Sequence, residues 1–332
     1  MARAVPCGFL ALLVTACGPP ARQARFTLHG CSAAPVEGVR LTFGQPPVLS
    51  PASAPAWDSV DVLNPSVARW DGRYLLLYSG FDGETWHTGA AWSPDGDSWD
   101  RASPEPVLSP QPDTWEGDYI AANGSLVAHG GHLLYWYQAG LRNAPSIGLA
   151  QSADGVDWQR VNDAPVFTPG ARGAWDEAAV ADPYVVACTD VLYLFYLGQD
   201  RHGRQRLGLA RSADGVRWQR SDRNPILELG GRDAFDERGL GEPAVLRTPD
   251  GWRMLYTGRD SQERRRMGWA HSQDGLRWEK RGPILSGQLP WNEAVVCDAT
   301  FLVEGAQLSV WYGGGSVPSP DENLSGAIGR AR

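Results

Sequence analysis

The chain has 332 residues, of which 42% are hydrophobic and 20% are charged, a balance that fits a globular core and argues against a disordered chain. The formal net charge is −8, and no Lys/Arg run is interleaved with aromatic residues, so nucleic acid is not expected as a partner. The 39 Gly, 25 Pro and 15 Trp indicate many tight turns between aromatic-rich strands.

The N-terminus resembles the export signal of bacterial lipoproteins. A short apolar stretch leads to Val14-Thr15-Ala16-Cys17, which is similar to the lipobox, an aliphatic residue and two small residues before a Cys. The resemblance implies that residues 1–16 are a signal peptide, that Cys17 is lipidated, and that the protein is exported and lipid-anchored to the bacterial outer membrane or cell surface. An ordinary secretory signal is the alternative, and it also implies export. Residues 17–38, rich in Ala, Pro and Arg, are predicted to be a tether or irregular segment.

The rest of the chain, residues 39–332, repeats one pattern of strands. Each hairpin unit reads Ala-x-Ser-x-Asp-Gly-x-x-Trp, and Asp-Gly between short apolar segments is the strongest local signal for a tight hairpin turn. The clearest copies end at Trp158, Trp218 and Trp278, and a degenerate copy ends at Trp99. An apolar run that precedes each unit is predicted to be another strand, and it ends at a tyrosine in every repeat: Tyr78, Tyr137, Tyr196, Tyr256 and Tyr312.

A polar residue stands fourteen positions before each of these tyrosines, and an apolar segment that follows it is predicted to be the first strand of the repeat. The five polar residues are Asn64, Asn123, Asp182, Glu242 and Asp298, at intervals of 59, 59, 60 and 56 residues. Four strands in each of five repeats predict an all-β fold, a five-bladed β-propeller with four-stranded blades.

The last repeat ends before its fourth strand. Its final residues, 328–332, match residues 147–151, which lie in the middle of an earlier repeat. Residues 39–49 match the segment that follows Trp158 in that repeat, so we expect this N-terminal strand to complete the last blade. Closing the ring in this way leaves no open sheet edge.

Residues shared by every repeat are interpreted as scaffold, whereas the polar residue that opens the first strand differs between repeats. The innermost strands of a propeller line its central channel, so the five polar side chains are expected to converge at one mouth. Turn capping is the alternative explanation for Asn and Asp at this position, but Glu242 is a poor local cap. Three carboxylates in one mouth repel one another and raise at least one pKa, as a general acid requires.

The repeat unit, together with Asp182-Pro183 and Glu242-Pro243 at the start of inner strands, resembles the five-bladed β-propeller glycoside hydrolases. That superfamily contains the arabinanases, xylosidases and invertases of families 43, 32, 68 and 130, with mannoside phosphorylases among their relatives. The resemblance covers residues 39–332 and implies a glycan or oligosaccharide substrate and three catalytic residues: Asp182, Glu242 and Asp298.

The resemblance leaves two assignments of roles open. In the first, Asp182 is the base or nucleophile, and the next two carboxylates are Glu242 and Asp298. In the second, Asp182 modulates the pKa of Glu242, which is the general acid, and Asn123 then stands where the base should be. Asn64 also departs from the pattern, because the families usually keep an Asp at that position.

Further side chains are candidates for substrate binding. Asn64 and Asn123 are expected at the mouth, and Arg238, which other repeats lack, is a candidate for binding phosphate. Aromatic rings suit the apolar faces of sugars. The candidates outside the repeat-wide positions are Trp136, Trp86, Trp92 and Trp269.

The leading hypothesis is therefore a glycoside hydrolase that acts through carboxylates at the channel mouth. The alternatives are a non-catalytic carbohydrate-binding or interaction propeller lipoprotein and a glycoside phosphorylase. Three cysteines remain after Cys17, namely Cys31, Cys188 and Cys297, so at most one disulfide forms within the chain, and its pairing stays open. No metal site is predicted, because the Cys spacings fit no zinc pattern and the histidines are scattered. No cofactor is expected, and the protein is expected to be a monomer.

Replacing the predicted lipid acceptor tests the lipobox. We expect the wild-type protein to sediment with the membrane fraction of an expressing bacterium and Cys17→Ser to move to the soluble fraction, because the variant lacks the acyl chains. Immunoblots of the two fractions measure the distribution. Membrane retention of Cys17→Ser would contradict lipid anchoring.

Overall fold

The structure is a computed structural model that describes residues 26–36, 41–42, 44 and 46–332. The described residues form β-strands and a single short 3-10 turn, Pro290–Asn292. The prediction of an all-β fold is therefore confirmed.

Antiparallel pairing divides the strands into five successive groups, which we number one to five in chain order. Single parallel bridges, Gln205 to Gly239 and Arg265 to Val295, join groups three, four and five into one sheet. Group one is β1 (Asp61–Trp70), β2 (Arg73–Phe81), β3 (Trp86–Ser93) and β4 (Asp100–Arg101). Group two is β5 (Ala121–His129), β6 (His132–Leu141), β7 (Ala144–Ser152) and β8 (Gln159–Arg160). Group three is β9 (Ala179–Ala187), β10 (Leu192–Gln199), β11 (Gln205–Ser212) and β12 (Gln219–Arg220). Group four is β13 (Gly239–Thr248), β14 (Gly251–Arg259), β15 (Arg265–Ser272) and β16 (Glu279–Leu285), and group five is β17 (Val295–Glu304), β18 (Gln307–Gly315) and β19 (Ala327–Ala331).

The first strand of each group contacts the first strands of the groups on either side. The contacts run from β1 to β5, β9, β13 and β17, and β17 returns to contact β1. Group five, whose own strands end with β19, also pairs with the N-terminal part of the chain. The backbone of Ile328 bonds that of Leu49, and Arg332 exchanges backbone hydrogen bonds of 2.8 and 3.1 Å with Thr42.

The repeated Asp-Gly unit forms the predicted tight turn. In group three, Asp214 Oδ1 accepts two backbone N–H groups at 2.9 and 2.8 Å, and Gly215 adopts a φ of +74°. The Trp218 indole then donates to the Gly215 carbonyl at 3.1 Å. The same contacts recur in groups one, two and four, so these residues belong to the scaffold, as the sequence predicts.

A second repeated contact joins the start of a group to the second and fourth strands of the same group. Tyr196 on β10 donates to Asp176 Oδ2 at 3.0 Å, and Arg220 Nε pairs with the same oxygen at 2.8 Å. Trp175, next to Asp176, packs against the Tyr196 ring at 5.6 Å. Equivalent acid, tyrosine and cation sets occur in groups one, two and four, and each satisfies a buried carboxylate with an opposite charge.

The described part of the N-terminal segment, residues 26–36, has no regular secondary structure but is fixed to group three. Cys31 forms a disulfide with Cys188, which follows β9, and Phe26 is only 5% exposed. The His29 N–H donates to the Tyr193 hydroxyl at 2.8 Å. Cys297 is the remaining thiol among the described residues, and it is buried.

The predicted signal peptide, residues 1–16, and the predicted lipid acceptor, Cys17, lie outside the described residues. Among the residues that are described, no helix is long and apolar enough to cross a membrane.

Breaking the disulfide should loosen this segment. The bond closes a loop of 157 residues, so the double variant Cys31→Ala/Cys188→Ala is expected to lose about 2–4 kcal/mol of unfolding free energy. Guanidinium unfolding followed by tryptophan fluorescence measures the loss. Dithiothreitol should destabilise the wild-type protein similarly and leave the double variant unchanged; equal midpoints with and without the reductant would contradict the bond.

Candidate active site

The five polar residues that open the first strands share an unusual backbone conformation. In chain order Asn64, Asn123, Asp182, Glu242 and Asp298 have φ angles of +50°, +48°, +48°, +50° and +56°. The register with the neighbouring strand shifts at each of them, which marks a β-bulge. A bulge changes the direction of a side chain, and a left-handed residue other than Gly costs of order 1 kcal/mol or more. Glu242 tolerates this conformation less well than Asn or Asp, so its presence needs a reason beyond turn formation.

All five side chains line one cavity of about 280 Å³, as the sequence predicts. The same five residues line a second cavity of about 30 Å³. The five polar residues therefore form a layer that separates the cavity of about 280 Å³ from the cavity of about 30 Å³. The larger cavity is also lined by Trp86, one of the predicted tryptophans, and by three arginines that the sequence analysis did not select: Arg142, Arg259 and Arg265.

A chain of hydrogen bonds links the carboxylates in sequence order. The Glu242 N–H donates to Asp182 Oδ2 at 3.1 Å, and the Asp298 N–H donates to Glu242 Oε2 at 3.3 Å. The Asn64 N–H then donates to Asp298 Oδ2 at 3.4 Å, and the Asn123 amide donates to Asp182 Oδ1 at 2.6 Å. Each carboxylate is thus oriented by the backbone of the next strand group, and the layer is fixed as a unit.

Burial and mutual repulsion raise two of the carboxyl pKa values. Asp182 is 8% exposed, and burial together with the charge of Glu242 raises its pKa to about 7. Asp298 is 5% exposed, and burial and Glu242 raise its pKa well above the usual range. Glu242 itself is half-buried, and it separates these two proton-holding acids.

Arg265 supplies the main positive charge beside this cluster. Burial opposes its charge, but Glu242 and the other acidic groups around it raise the pKa of Arg265 above its usual value. Arg265 Nη2 donates to the Ser319 carbonyl at 3.3 Å. A fixed cation of this kind stabilises negative charge that remains after a proton leaves the cluster.

Cys297 lies next to the cluster and donates from Sγ to Asp298 Oδ2 at 2.9 Å. Burial, followed by the charge of Asp298, raises the pKa of the Cys297 thiol well above its usual value, so the thiol keeps its proton. Among the described residues, Glu242, Cys297 and Asp298 form the one group whose donor atoms, all within 4.8 Å of one another, could hold a metal ion. A protonated thiol is a poor metal ligand, and the absence of a metal stays a prediction.

Two predicted binding residues lie elsewhere. Trp136 is 0% exposed, its indole donates to the Gly215 carbonyl at 2.9 Å, and it packs in the core against Trp218, so its predicted contact with substrate is wrong. Arg238 is exposed and does not line the cavity, whereas Arg259 and Arg265, at the two ends of the β14–β15 connection, do. The sequence pointed to Arg238 as the cation at the cavity, but Arg238 precedes β13. The ends of β14 and β15 reach the cavity instead.

Known proteins resemble this chain both in sequence and in fold. Residues 64–226 match the family model for the N-terminal domain of family 32 glycosyl hydrolases. A solved structure described as a glycoside hydrolase superposes with a TM-score of 0.70 at 17% identity, covering 88% of this chain and 92% of that one. Both comparisons thus find the chain similar to propeller-type glycoside hydrolases, the first in sequence and the second in fold. Asp182 and the two Asn residues of its cluster lie within the matched range.

Two of the similar proteins are described by an activity. A 1,2-beta-oligomannan phosphorylase of Thermoanaerobacter sp. (strain X514) is 29% identical over 139 residues, which are 39% of this chain and 46% of the phosphorylase. The match therefore spans less than half the length of that relative. A second solved structure comes from work on glycoside hydrolases of the GH130 family of mannoside phosphorylases that target beta-1,2 mannosidic linkages in Candida mannan. It has a TM-score of 0.67 at 19% identity and covers 90% of this chain and 96% of that one.

The raised pKa of Asp182 predicts a pH-dependent stability. Folded Asp182 keeps its proton to about pH 7, whereas an unfolded Asp loses it near about pH 3.9, so the folded state binds the extra proton between these values. As pH rises from about 4 to about 7, the free energy of unfolding of the wild type should therefore fall relative to that of Asp182→Asn, which cannot titrate at this position. Chemical unfolding at several pH values measures the difference between the two proteins.

Asp214→Asn is the matched control for this prediction. Backbone hydrogen bonds lower the pKa of Asp214, so its contribution to stability is present above the unfolded pKa and is lost only at acid pH. Its difference from the wild type should thus stay constant between about pH 5 and 7. A constant difference for Asp182→Asn over the same range would show that Asp182 ionises normally.

Proposed function

We propose that this protein cleaves glycosidic bonds and that Asp182, Glu242 and Asp298 carry the reaction. One observation supports the proposal above the others: two buried carboxyls with raised pKa flank a half-buried glutamate that lines the cavity. Cleavage needs an acid that is still protonated near neutral pH, and crowded, buried carboxyls are how proteins provide one. Turn capping does not require this crowding.

We also propose that the protein is a five-bladed ring. We interpret the five antiparallel groups as five blades of one ring, because their first strands contact one another in a cycle. The backbone bonds between residues 42–49 and β19 support closure of the last blade by the N-terminal strand. In such a ring the five left-handed residues all belong to innermost strands, which accounts for their convergence on one cavity.

Glu242 is assigned as the general acid. It lines the cavity, the Asp298 N–H holds its Oε2 at 3.3 Å, and it is the most exposed of the three carboxyls. Its proton passes to the glycosidic oxygen as the bond from that oxygen to the anomeric carbon breaks. Asp182 is assigned as the base: above its pKa of about 7 it is ionised and removes a proton from the water that adds to the anomeric carbon. Asp298 and Arg265 then hold Glu242 in position and balance its charge.

A β-1,2-linked mannoside is the first substrate class to test. The two similar proteins that are described by an activity act on oligomannan or on beta-1,2 mannosidic linkages. The cavity lining offers amides and arginines for hydroxyl groups, and Trp86 offers an apolar edge. Non-catalytic carbohydrate binding through the same cavity remains the alternative from another functional class.

Phosphorolysis is the second candidate, and the arginines favour it. Arg142, Arg259 and Arg265 all line the cavity, and guanidinium groups bind phosphate by paired hydrogen bonds. Arg259 already donates to Glu263 at 2.9 Å and to Gln205 at 3.0 Å, so a phosphate would have to exchange with these partners. In this version phosphate, and not water, adds to the anomeric carbon.

We also propose that the protein works outside the cytoplasm, anchored by Cys17 and without a cofactor. The Cys31–Cys188 disulfide supports export, because such bonds persist in oxidising compartments. A carbohydrate-active protein at the cell surface would meet its glycan there.

The reaction is tested with a substrate panel and two variants. Aryl β-mannosides and β-1,2-mannobiose are incubated with and without phosphate, alongside aryl arabinosides, xylosides, fructosides and galactosides, and released sugar or sugar phosphate is quantified. Glu242→Gln should lose about 10²–10⁴-fold in kcat, because the amide has no transferable proton. The loss should be smallest for aryl glycosides with good leaving groups, since these need little protonation.

Asp182→Asn should slow all substrates alike, because a base acts on the nucleophile and not on the leaving group. Asp214→Asn, in a hairpin turn, is the control and should leave kcat unchanged. Sugar binding by the wild type with no turnover of any substrate, unaltered by both site variants, would establish the binding protein instead. Turnover only with phosphate would establish the phosphorylase.

A further inference from the structure

One connection breaks the repetition of the strand groups at the cavity. The links between second and third strands comprise residues 82–85, 142–143, 200–204 and 260–264 in groups one to four. In group five, β18 ends at Gly315 and β19 begins at Ala327, so the link is residues 316–326, twice as long as any of the others. We call it the 316–326 loop.

The C-terminal half of the 316–326 loop is anchored in group one. Asp61, which is 0% exposed, accepts backbone N–H groups of Asn323 at 2.6 Å, Leu324 at 3.1 Å and Gly326 at 2.7 Å. The Leu324 side chain is also 0% exposed and packs in the core beside Leu63. A buried carboxylate with three backbone donors fixes this part of the loop firmly.

The middle of the loop reaches group two. Glu322 accepts a hydrogen bond from the Tyr119 hydroxyl at 2.9 Å and forms an ion pair with Arg142. The Arg142 guanidinium also lies 4.6 Å from the Tyr119 ring centroid. These three residues, which we call the latch, join parts of the chain about two hundred residues apart. On the other side, Arg265 of group four donates to the Ser319 and Pro320 carbonyls.

The loop therefore spans groups four, five, one and two, and its residues Pro320 and Asp321 line the cavity. Group three contributes Gln199 and Gln205 to the lining, and among the described residues no hydrogen bond or ion pair joins group three to the loop. We infer that the 316–326 loop walls the cavity on one side and makes it a dead-end pocket for the terminal sugar of a glycan, so that the protein acts on chain ends. This inference rests on the proposed function.

The size and the chemistry of the cavity agree with this inference. Its volume of about 280 Å³ lies just below the range of small-molecule pockets, about 300–1,000 Å³, so it holds a short ligand and not a continuous polymer. The leaving group must depart through the open side, over group three. The sugar held against Glu242 is then the non-reducing end of the chain, and it faces the loop.

Binding to capped ligands tests the wall without relying on turnover. The probes are β-1,2-mannotriose, the same triose with a 4,6-O-benzylidene acetal on its non-reducing sugar, and its p-nitrophenyl glycoside, which is capped at the reducing end. All are titrated by calorimetry into Glu242→Gln, which cannot protonate them. We expect the benzylidene cap to weaken binding at least about tenfold by collision with the loop, and the p-nitrophenyl cap to weaken it less than about threefold.

Releasing the latch should remove the discrimination. In Glu242→Gln/Glu322→Ala, and in Glu242→Gln/Arg142→Gln, the two capped trioses should bind within about threefold of each other, because the wall can move. Glu304→Ala in the Glu242→Gln background is the matched control. Glu304 also accepts from a tyrosine, Tyr74, and pairs with an arginine, Arg69 at 3.4 Å, but it lies at the end of β17 away from the cavity. This control should discriminate as the parent does.

The outcomes separate this inference from the proposed function. Equal binding of the two capped trioses by Glu242→Gln overturns the dead-end pocket and leaves the carboxylate chemistry standing. Discrimination that survives both latch variants shows that the 316–326 loop is not the wall. Clear discrimination by a protein that turns over no substrate supports the pocket and overturns the enzyme. Absence of binding of all three probes overturns the inference for this substrate class.

Discussion

Each first strand in this protein carries one residue that its backbone holds at a positive φ, and the organisation of the cavity follows from that constraint. A regular strand would alternate its side chains between the two faces of the sheet. The bulge interrupts the alternation and turns five polar side chains into one space. A left-handed Glu242 beside two buried acids is unfavourable, so the surrounding structure must hold its backbone in this conformation. The carboxylate-to-backbone hydrogen bonds between neighbouring groups provide that determination.

The repeated contacts within the groups stabilise the scaffold that holds these residues at positive φ. Asp176, with its tyrosine and arginine partners, has counterparts in three other groups, and each set joins an outer strand to the start of a group. Because these sets lie apart from the five left-handed residues, the polar position can vary from Asn to Asp to Glu without disturbing them. Repetition therefore serves stability, and variation at one position per group serves chemistry.

The 316–326 loop extends the same principle. Its lengthening leaves strands β18 and β19 paired as in the other groups, so the insertion changes only the surroundings of the cavity. Asp61 anchors the loop with backbone donors, which fixes its path whatever side chains it carries. Pro320 and Asp321 of the loop line the cavity, and the ion pair of Glu322 with Arg142 connects the loop to group two.

The sequence by itself determined the repeat, the strands, the Asp-Gly turns and the five residues that meet at the cavity. These features depend on local conformation and on a period, and both are readable along one dimension; Asp214 and Trp218 behave as their repeat position predicts. Features that depend on packing between distant parts of the chain were decided only by the tertiary structure. Trp136 breaks the repeat but fills the core, Arg265 and not Arg238 faces the carboxylates, and Cys31 pairs with Cys188 across 157 residues. The raised pKa of Asp182 likewise comes from burial and from a glutamate sixty residues away, because charges interact through space and not along the chain.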